Sequence, residues 1–230
     1  MKRSPLFLII GVIVILLLGA LYWSFFRTTE EASGDISETV VSVDAPEGAT
    51  DNWTVFEIDS SQSMATFTID EVLRGDDFTV VGTTNQVGGQ VAGDPTDPTT
   101  VIVGEIIINA RTFVTDSDMR NRAIQNRILF TNDYELIRFQ PTAINGLPDS
   151  VAIGDSIEVE IVGDLTIKDV TKSTTFATTL TYVSANQIKG SASTTIIYGD
   201  YGVEVPLTPS VSFVSDELTM MLDFVAVASQ

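Results

Sequence analysis

The 230-residue chain contains no cysteine and no histidine, and it has only 12 Lys and Arg against 31 Asp and Glu. Without cysteine no disulfide can staple the fold, so core packing must hold it. Without histidine the Ser-His-Asp and Cys-His nucleophilic arrangements are excluded, as are the usual imidazole–thiolate sites for zinc or copper. What remains chemically is carboxylate work, Ser-Lys pairs or oxygen-ligated calcium. The net charge of −19 argues against nucleic acid, because phosphate binding rests on Lys and Arg. An acidic surface suits an exported domain that stays soluble and clear of anionic lipid head groups.

Charge is also missing from one long stretch, since none appears between Arg3 and Arg27. At about 1.5 Å per residue, the apolar run from Leu6 to Phe26 reaches roughly 30 Å as a helix, the thickness of a hydrocarbon core. Lys2 and Arg3 precede the run and Glu30 and Glu31 follow it, which predicts a cytoplasmic N-terminus with the remainder outside. The rival is a cleaved signal peptide, whose apolar core is shorter and ends in a small-x-small site. Ala20-Leu21-Tyr22-Trp23 offers no such site. The expected organisation is a cytoplasmic tail (1–4), a single-pass signal anchor in the cell membrane (5–27), a flexible acidic tether (28–51) and an extracytoplasmic domain (52–230).

From Trp53 onward, short segments alternate apolar and polar residues with period two, which predicts half-buried strands. The clearest is 156–167, where Ile157, Val159, Ile161, Leu165 and Ile167 share one face opposite Glu158, Glu160, Asp164 and Thr166. Further strands are predicted at 64–69, 78–83, 101–108, 175–183, 188–198 and 218–227, separated by Gly-, Asn- and Asp-containing turns. One segment departs from this alternation. Met119, Ala123, Ile124, Ile128 and Leu129 recur at helical spacing behind Thr115 and Asp118, which resemble a capping box. Many antiparallel strands with one inserted helix suggest a closed barrel, which leaves no sheet edge exposed; a two-sheet sandwich fits the same pattern.

Several constellations have plainer readings. Residues 93–98 and 115–118 are dense in oxygen but lack calcium-loop spacing, so turn and cap chemistry accounts for them. Glu158 and Glu160 sit two apart on a polar strand face, which explains them without a glycosidase pair. Five of the nine Lys and Arg beyond Arg27 fall between Arg111 and Arg138. They form either a head-group clamp or a helix face paired with nearby acids.

Taken in order, these segments resemble the YceI-like family, a lipocalin-like domain associated with polyisoprenoid lipids. Asp59, Ser63, Phe67 and Ile69 match its opening pattern, and Val81-Gly82 with Gly88-Gly89 match its next hairpin. Residues 115–129 match its helix, with Arg120 on the family's Arg, and Tyr134 and Phe139 match the strand that follows. The most specific stretch is 163–172, GDLTIKDVTK, and Asp200-Tyr201-Gly202 fits an Asp-aromatic-Gly turn near the end. The chain departs from the family at Asn121 and Ala123, at Lys168-Asp169 where His-Gly is common, at Tyr198 where Arg is frequent, and at Glu135 where Pro is usual.

The resemblance implies an all-β protein with an antiparallel eight-stranded barrel, one short inserted helix and an apolar lumen. The apolar inward-facing residues Phe67, Phe78, Phe113, Phe130, Phe139, Leu165, Phe176, Tyr198 and Phe224 would line that lumen or simply form core, with Arg120 and Arg122 at a ligand head group. It implies non-catalytic storage, transport or sequestration of an isoprenoid or other long-chain amphiphile at the outer face of the membrane, with no catalytic residue, cofactor or metal. The alternative is a structural or interaction module whose barrel is filled by side chains. A carboxylate hydrolase fits less well, and pairing into a homodimer stays open.

Overall fold

The computed structural model describes residues 13–19, 22 and 30–229. Most of the expected anchor, 5–27, therefore lies outside the described residues. Within it, residues 13–19 are helical and their apolar side chains are exposed. Among the described residues no helix is long and apolar enough to cross a membrane.

The domain is a single antiparallel sheet of thirteen described strands rather than the expected eight. They are β1 (Thr54–Ile58), β2 (Met64–Leu73), β3 (Asp76–Thr84), β4 (Val87–Gly88), β5 (Gln90–Asp94), β6 (Asp97–Val103) and β7 (Ile106–Asn109). After the helix come β8 (Leu136–Asn145), β9 (Ser156–Ile167), β10 (Val170–Ser184), β11 (Gln187–Ile197), β12 (Val211–Val214) and β13 (Glu217–Ala228). Part of the excess comes from local breaks that divide longer runs, and part from the short β12 beside β2. Gly89 separates β4 from β5, Gly104-Glu105 splits the predicted 101–108 strand into β6 and β7, and the 3₁₀ turn Ser60–Gln62 separates β1 from β2.

The pairing path runs β4-β7-β8-β9-β10-β11-β13-β1-β5-β6. Because β4 continues into β5 and β6 into β7, the chain itself joins the two ends of this path, and the sheet curls into a barrel. β2 leaves the path beside β13, pairs with β3 and β12, and forms a flap at the rim that also carries the helix. Pro141 lies inside β8, where its missing N–H would break a ladder; the register shifts between Pro141 and Ala143, a bulge that accommodates it.

The period-two reading of β9 is reproduced in its burial. Val159, Ile161, Leu165 and Ile167 are buried, while Glu158, Glu160 and Asp164 are exposed on the outside. Glycines on neighbouring strands make room for inward-facing rings: the Phe67 ring lies over Gly82, Phe139 over Gly163 and Phe224 over Gly190. A Cβ at Gly163 would stand 2.5 Å from the Gln140 carbonyl oxygen and 2.7 Å from the Phe139 ring. Gly163→Ala is therefore expected to cost about 1–3 kcal/mol, as overpacked sites do, whereas Gly199→Ala, with nothing within 4 Å, is expected to be nearly neutral. Equilibrium denaturation of both variants checks this, and equal stabilities would refute the close-packing account.

Residues 30–51, expected as a flexible solvated tether, instead lie along the barrel. Ile36 opens a 3₁₀ turn (Ile36–Thr39) and is only 3% exposed, packing with Val40 over Gly88. The Val43 amide donates to Gln90 Oε1 (2.8 Å), and the Thr50 hydroxyl donates to Asp94 Oδ2 (2.5 Å). At the other end, the Glu30 amide donates to Asn132 Oδ1 (3.3 Å), just beyond the helix. The segment is a strap running from the helix end of the barrel to the opposite end, where β1 begins.

Candidate functional site

The helix Asp118–Ala123 passes directly into a π-helical turn, Ile124–Ile128, a geometry frequent at functional sites. Its cap is Ser117, whose hydroxyl accepts from the Arg120 amide. Thr115, expected as the cap, instead holds Asn121 Oδ1 with both its amide (2.8 Å) and its hydroxyl (2.7 Å). Thr115 thus braces the entry loop, because a second hydroxyl, that of Ser117, stands closer to the first turn, and Asp118 is simply the first helical residue.

Beneath this helix the barrel encloses a cavity of about 160 Å³. Ile124 and Leu129 form its wall on the helix side, and β1, β2, β5–β11 and β13 supply most of the remainder, with Phe113, Tyr198 and Val203 from the connections. No charged side chain of the described residues lines it; its polar side chains are Thr66, Thr178 and Tyr198. Burial, with the nearby Asp216 carboxylate adding to it, pushes the Tyr198 phenol above its ordinary pKa, so it enters the lining as a neutral hydroxyl. A second, smaller hollow of about 90 Å³ lies at the opposite end, walled by Phe56, Pro95, Leu147, Val151, Tyr182 and Ile188.

Seven of the nine predicted lumen residues reach the cavity wall: Phe67, Phe113, Phe139, Leu165, Phe176, Tyr198 and Phe224. Phe67 and Phe113 meet edge to face at 5.2 Å, and Phe139 and Phe176 at 4.8 Å. Phe78 and Phe130 stand outside it. Phe78 lies on the flap under the Arg120 guanidinium, 5.5 Å from its ring centroid. Phe130 follows the π turn with a left-handed backbone (φ 52°) and turns its ring outward, where Lys168 Nζ lies 5.1 Å from the centroid. The apolar character of these two rings matched the lumen set; Phe78 is carried clear of the lumen by the β2–β3 hairpin, and the left-handed turn that redirects Phe130 carries no periodicity.

Neither predicted head-group residue lines the cavity. Arg120 pairs with Glu71, which is 8% exposed, at 2.9 Å and also with Asp116. This is the arrangement of a helix face bound to neighbouring acids. Arg122 is exposed. The oxygen-rich stretches are turns: Asp94 accepts from the Thr96 amide and hydroxyl, and Asp97 from those of Thr99.

The cation that composition alone did not single out is Arg111, 6% exposed. Its guanidinium donates to the carbonyls of Glu31 (2.6 Å) and Thr131 (2.8 Å) and pairs with Glu135 at 3.5 Å. Glu135 in turn accepts from the Ser33 amide (2.8 Å) and hydroxyl (2.6 Å) and from Asn109 Nδ2 (2.8 Å). Arg111 and Glu135 thus fasten the strap beside the helix.

Burial raises the Glu135 pKa, but the bonds from Ser33 and Asn109 and the Arg111 charge outweigh it and hold the carboxyl below its usual value. A depressed folded pKa contributes stability that is complete above the unfolded value, about 4.3, and is lost as pH falls through the folded one. Hydrogen-exchange protection of residues 30–40 is therefore expected to be unchanged from pH 7 to 5 and to drop below about pH 4, ahead of β9 and β10. Uniform loss across strap and barrel would contradict a local carboxylate latch.

A family model for the YceI-like domain matches residues 56–226. The chain belongs to the YceI-like family. The barrel is similar to that of a polyisoprenoid binding domain from Saccharophagus degradans implicated in plant cell wall breakdown. The TM-score is 0.59 at 14% identity, covering 76% of this chain and 99% of that one. It is likewise similar to BcnA of Burkholderia cenocepacia (TM-score 0.57, 18% identity, 74% and 99% covered). A YceI protein of Campylobacter jejuni also matches (TM-score 0.51, 15% identity, 65% and 84% covered). No curated protein matches the chain in sequence. At these identities the neighbours establish the fold of the YceI-like domain, a curled antiparallel sheet with a helix at one rim.

Proposed function

We propose that this YceI-like domain binds an isoprenoid or similar long-chain amphiphile without transforming it, at the outer face of the membrane in which residues 5–27 anchor it. The carrying observation is the uncharged apolar cavity under the helix. Such a wall recognises hydrocarbon and offers no nucleophile–base pair. Each methylene it buries contributes about 0.8 kcal/mol, so affinity grows with chain length without a head-group clamp. The polyisoprenoid-binding description of the Saccharophagus degradans relative supports the same ligand class.

Cavity size sets a condition. A void of about 150 Å³ holds one benzene, and drug-sized sites run to roughly 300–1,000 Å³. The 160 Å³ here therefore seats part of a chain, and a whole isoprenoid requires the Ile124–Leu129 wall to move outward. The same volume favours a second reading, a structural module whose barrel is largely filled. Native mass spectrometry of the full chain released from membranes separates them. Reproducibly co-purified lipid supports binding. A ligand-free protein that also takes up no added isoprenoid or quinone supports the filled module and overturns the proposal.

A further inference from the structure

We infer that the helix end of the barrel is held against the bilayer, with Val114, Met119 and Phe130 entering the interface of a zwitterionic lipid surface, so that the cavity opens toward the membrane. This rests on the anchor reading above and adds an orientation to it. The apolar run ends at Phe26 and the last charge before the strap is Arg27. From Arg27 to Glu30 is three residue steps, at most about 11 Å of chain. Glu30 is already fastened to the barrel: its amide donates to Asn132 (3.3 Å), and the Glu31 carbonyl next to it accepts from Arg111 (2.6 Å). Asn132 lies two residues beyond Phe130, so the chain enters the membrane beside the helix.

The strap decides this. β1 starts at Thr54 at the opposite end of the barrel, and a free segment before it would suspend the domain by that far end. Because residues 30–51 run back along the barrel through Ile36, Val43 and Thr50, the attachment point moves to the helix end.

The surface at that end suits the bilayer. Met119 is 81% exposed on the helix, and Val114, Phe130, Ile197, Leu207 and Phe213 are exposed around it. These positions belong together: Lys168 packs on Phe130 and donates to the Gly202 carbonyl, Tyr198 follows Ile197, and β12 pairs with the end of β2 beside Glu71. Away from that end the exposed large apolar side chains are scattered, with Ile153 and Ile102 toward the far end and Val41 on the strap. Apolar side chains of this kind settle about 5–10 Å into the head-group boundary. The net charge of −19 and the acids Asp116, Asp118, Asp133 and Asp169 at the same end commit the partner to zwitterionic rather than anionic lipid.

The absence of cysteine allows a clean test. Met119→Cys and Ile153→Cys, both at exposed positions, are labelled with an environment-sensitive fluorophore in the full chain. Each is reconstituted in phosphatidylcholine vesicles carrying a nitroxide-labelled lipid. The expected result is blue-shifted emission and several-fold stronger quenching at position 119 than at 153. Equal quenching, or stronger quenching at 153, in protein that floats with the vesicles overturns the orientation and leaves the anchor intact. Protein that fails to float overturns both.

Discussion

Arg111→Ala is expected to melt roughly 10 °C below the parent chain. Breaking a buried charge pair by removing one partner costs about 3–5 kcal/mol, and for a domain of this size each kcal/mol shifts the midpoint by about 2–4 °C. The lower end applies, because Glu135 keeps three hydrogen bonds from Ser33 and Asn109 and is not abandoned. What is lost is two main-chain carbonyl contacts, one to Glu31 and one to Thr131, together with the charge opposite Glu135 and the more exposed Glu30. Arg111→Lys is expected to recover little, since one ammonium cannot span two carbonyls and a carboxylate as a planar guanidinium does. Calorimetry gives the midpoint, and hydrogen exchange over residues 30–40 shows whether the strap loosens with it. A variant that melts like the parent, with the strap still protected, would remove Arg111 from this role.

The strap also shows where sequence reasoning ran out. The β9 face, the inward run of β10 and the helix under Ser117 were legible because each is a local periodicity that burial enforces over many residues. Residues 30–51 carry few large apolar side chains, and composition reads them as solvent-loving. Their attachment is made by side chains roughly forty to a hundred positions away, such as Gln90 with Val43 and Glu135 with Ser33, and no local pattern announces such a bond. Glu135 was visible as a departure where the YceI-like family usually carries proline, but its partner was not. The eight-strand expectation came from the family resemblance, and within the predicted 101–108 strand the alternation persists across Gly104 even where hydrogen bonding is interrupted. At the cavity, seven of the nine residues expected at the lumen reach the wall. Local pattern could not show the left-handed turn at Phe130 or that the β2–β3 hairpin carries Phe78 out to Arg120.

Ala192→Phe is expected to reduce lipid retention by about two orders of magnitude while leaving the midpoint unchanged or raised. Ala192 lines the cavity, opposite Thr178 on β10 and Leu222 on β13. A phenyl group is about the size of the benzene that a 150 Å³ void accepts, so it fills most of the 160 Å³ present. The chain it displaces loses about four methylenes of burial, each worth about 0.8 kcal/mol. The resulting loss of about 3 kcal/mol corresponds to roughly a hundredfold in affinity. The ring replaces that contact internally, which is why stability holds where overpacking a filled core would cost about 1–3 kcal/mol. Retention is read by native mass spectrometry on matched preparations, and stability by thermal unfolding. A large fall in midpoint would mean that the space is already occupied by side chains, as the filled-module reading requires. Undiminished lipid in a well-folded variant would place the ligand elsewhere, with the 90 Å³ hollow behind Tyr182 and Ile188 as the next site to block.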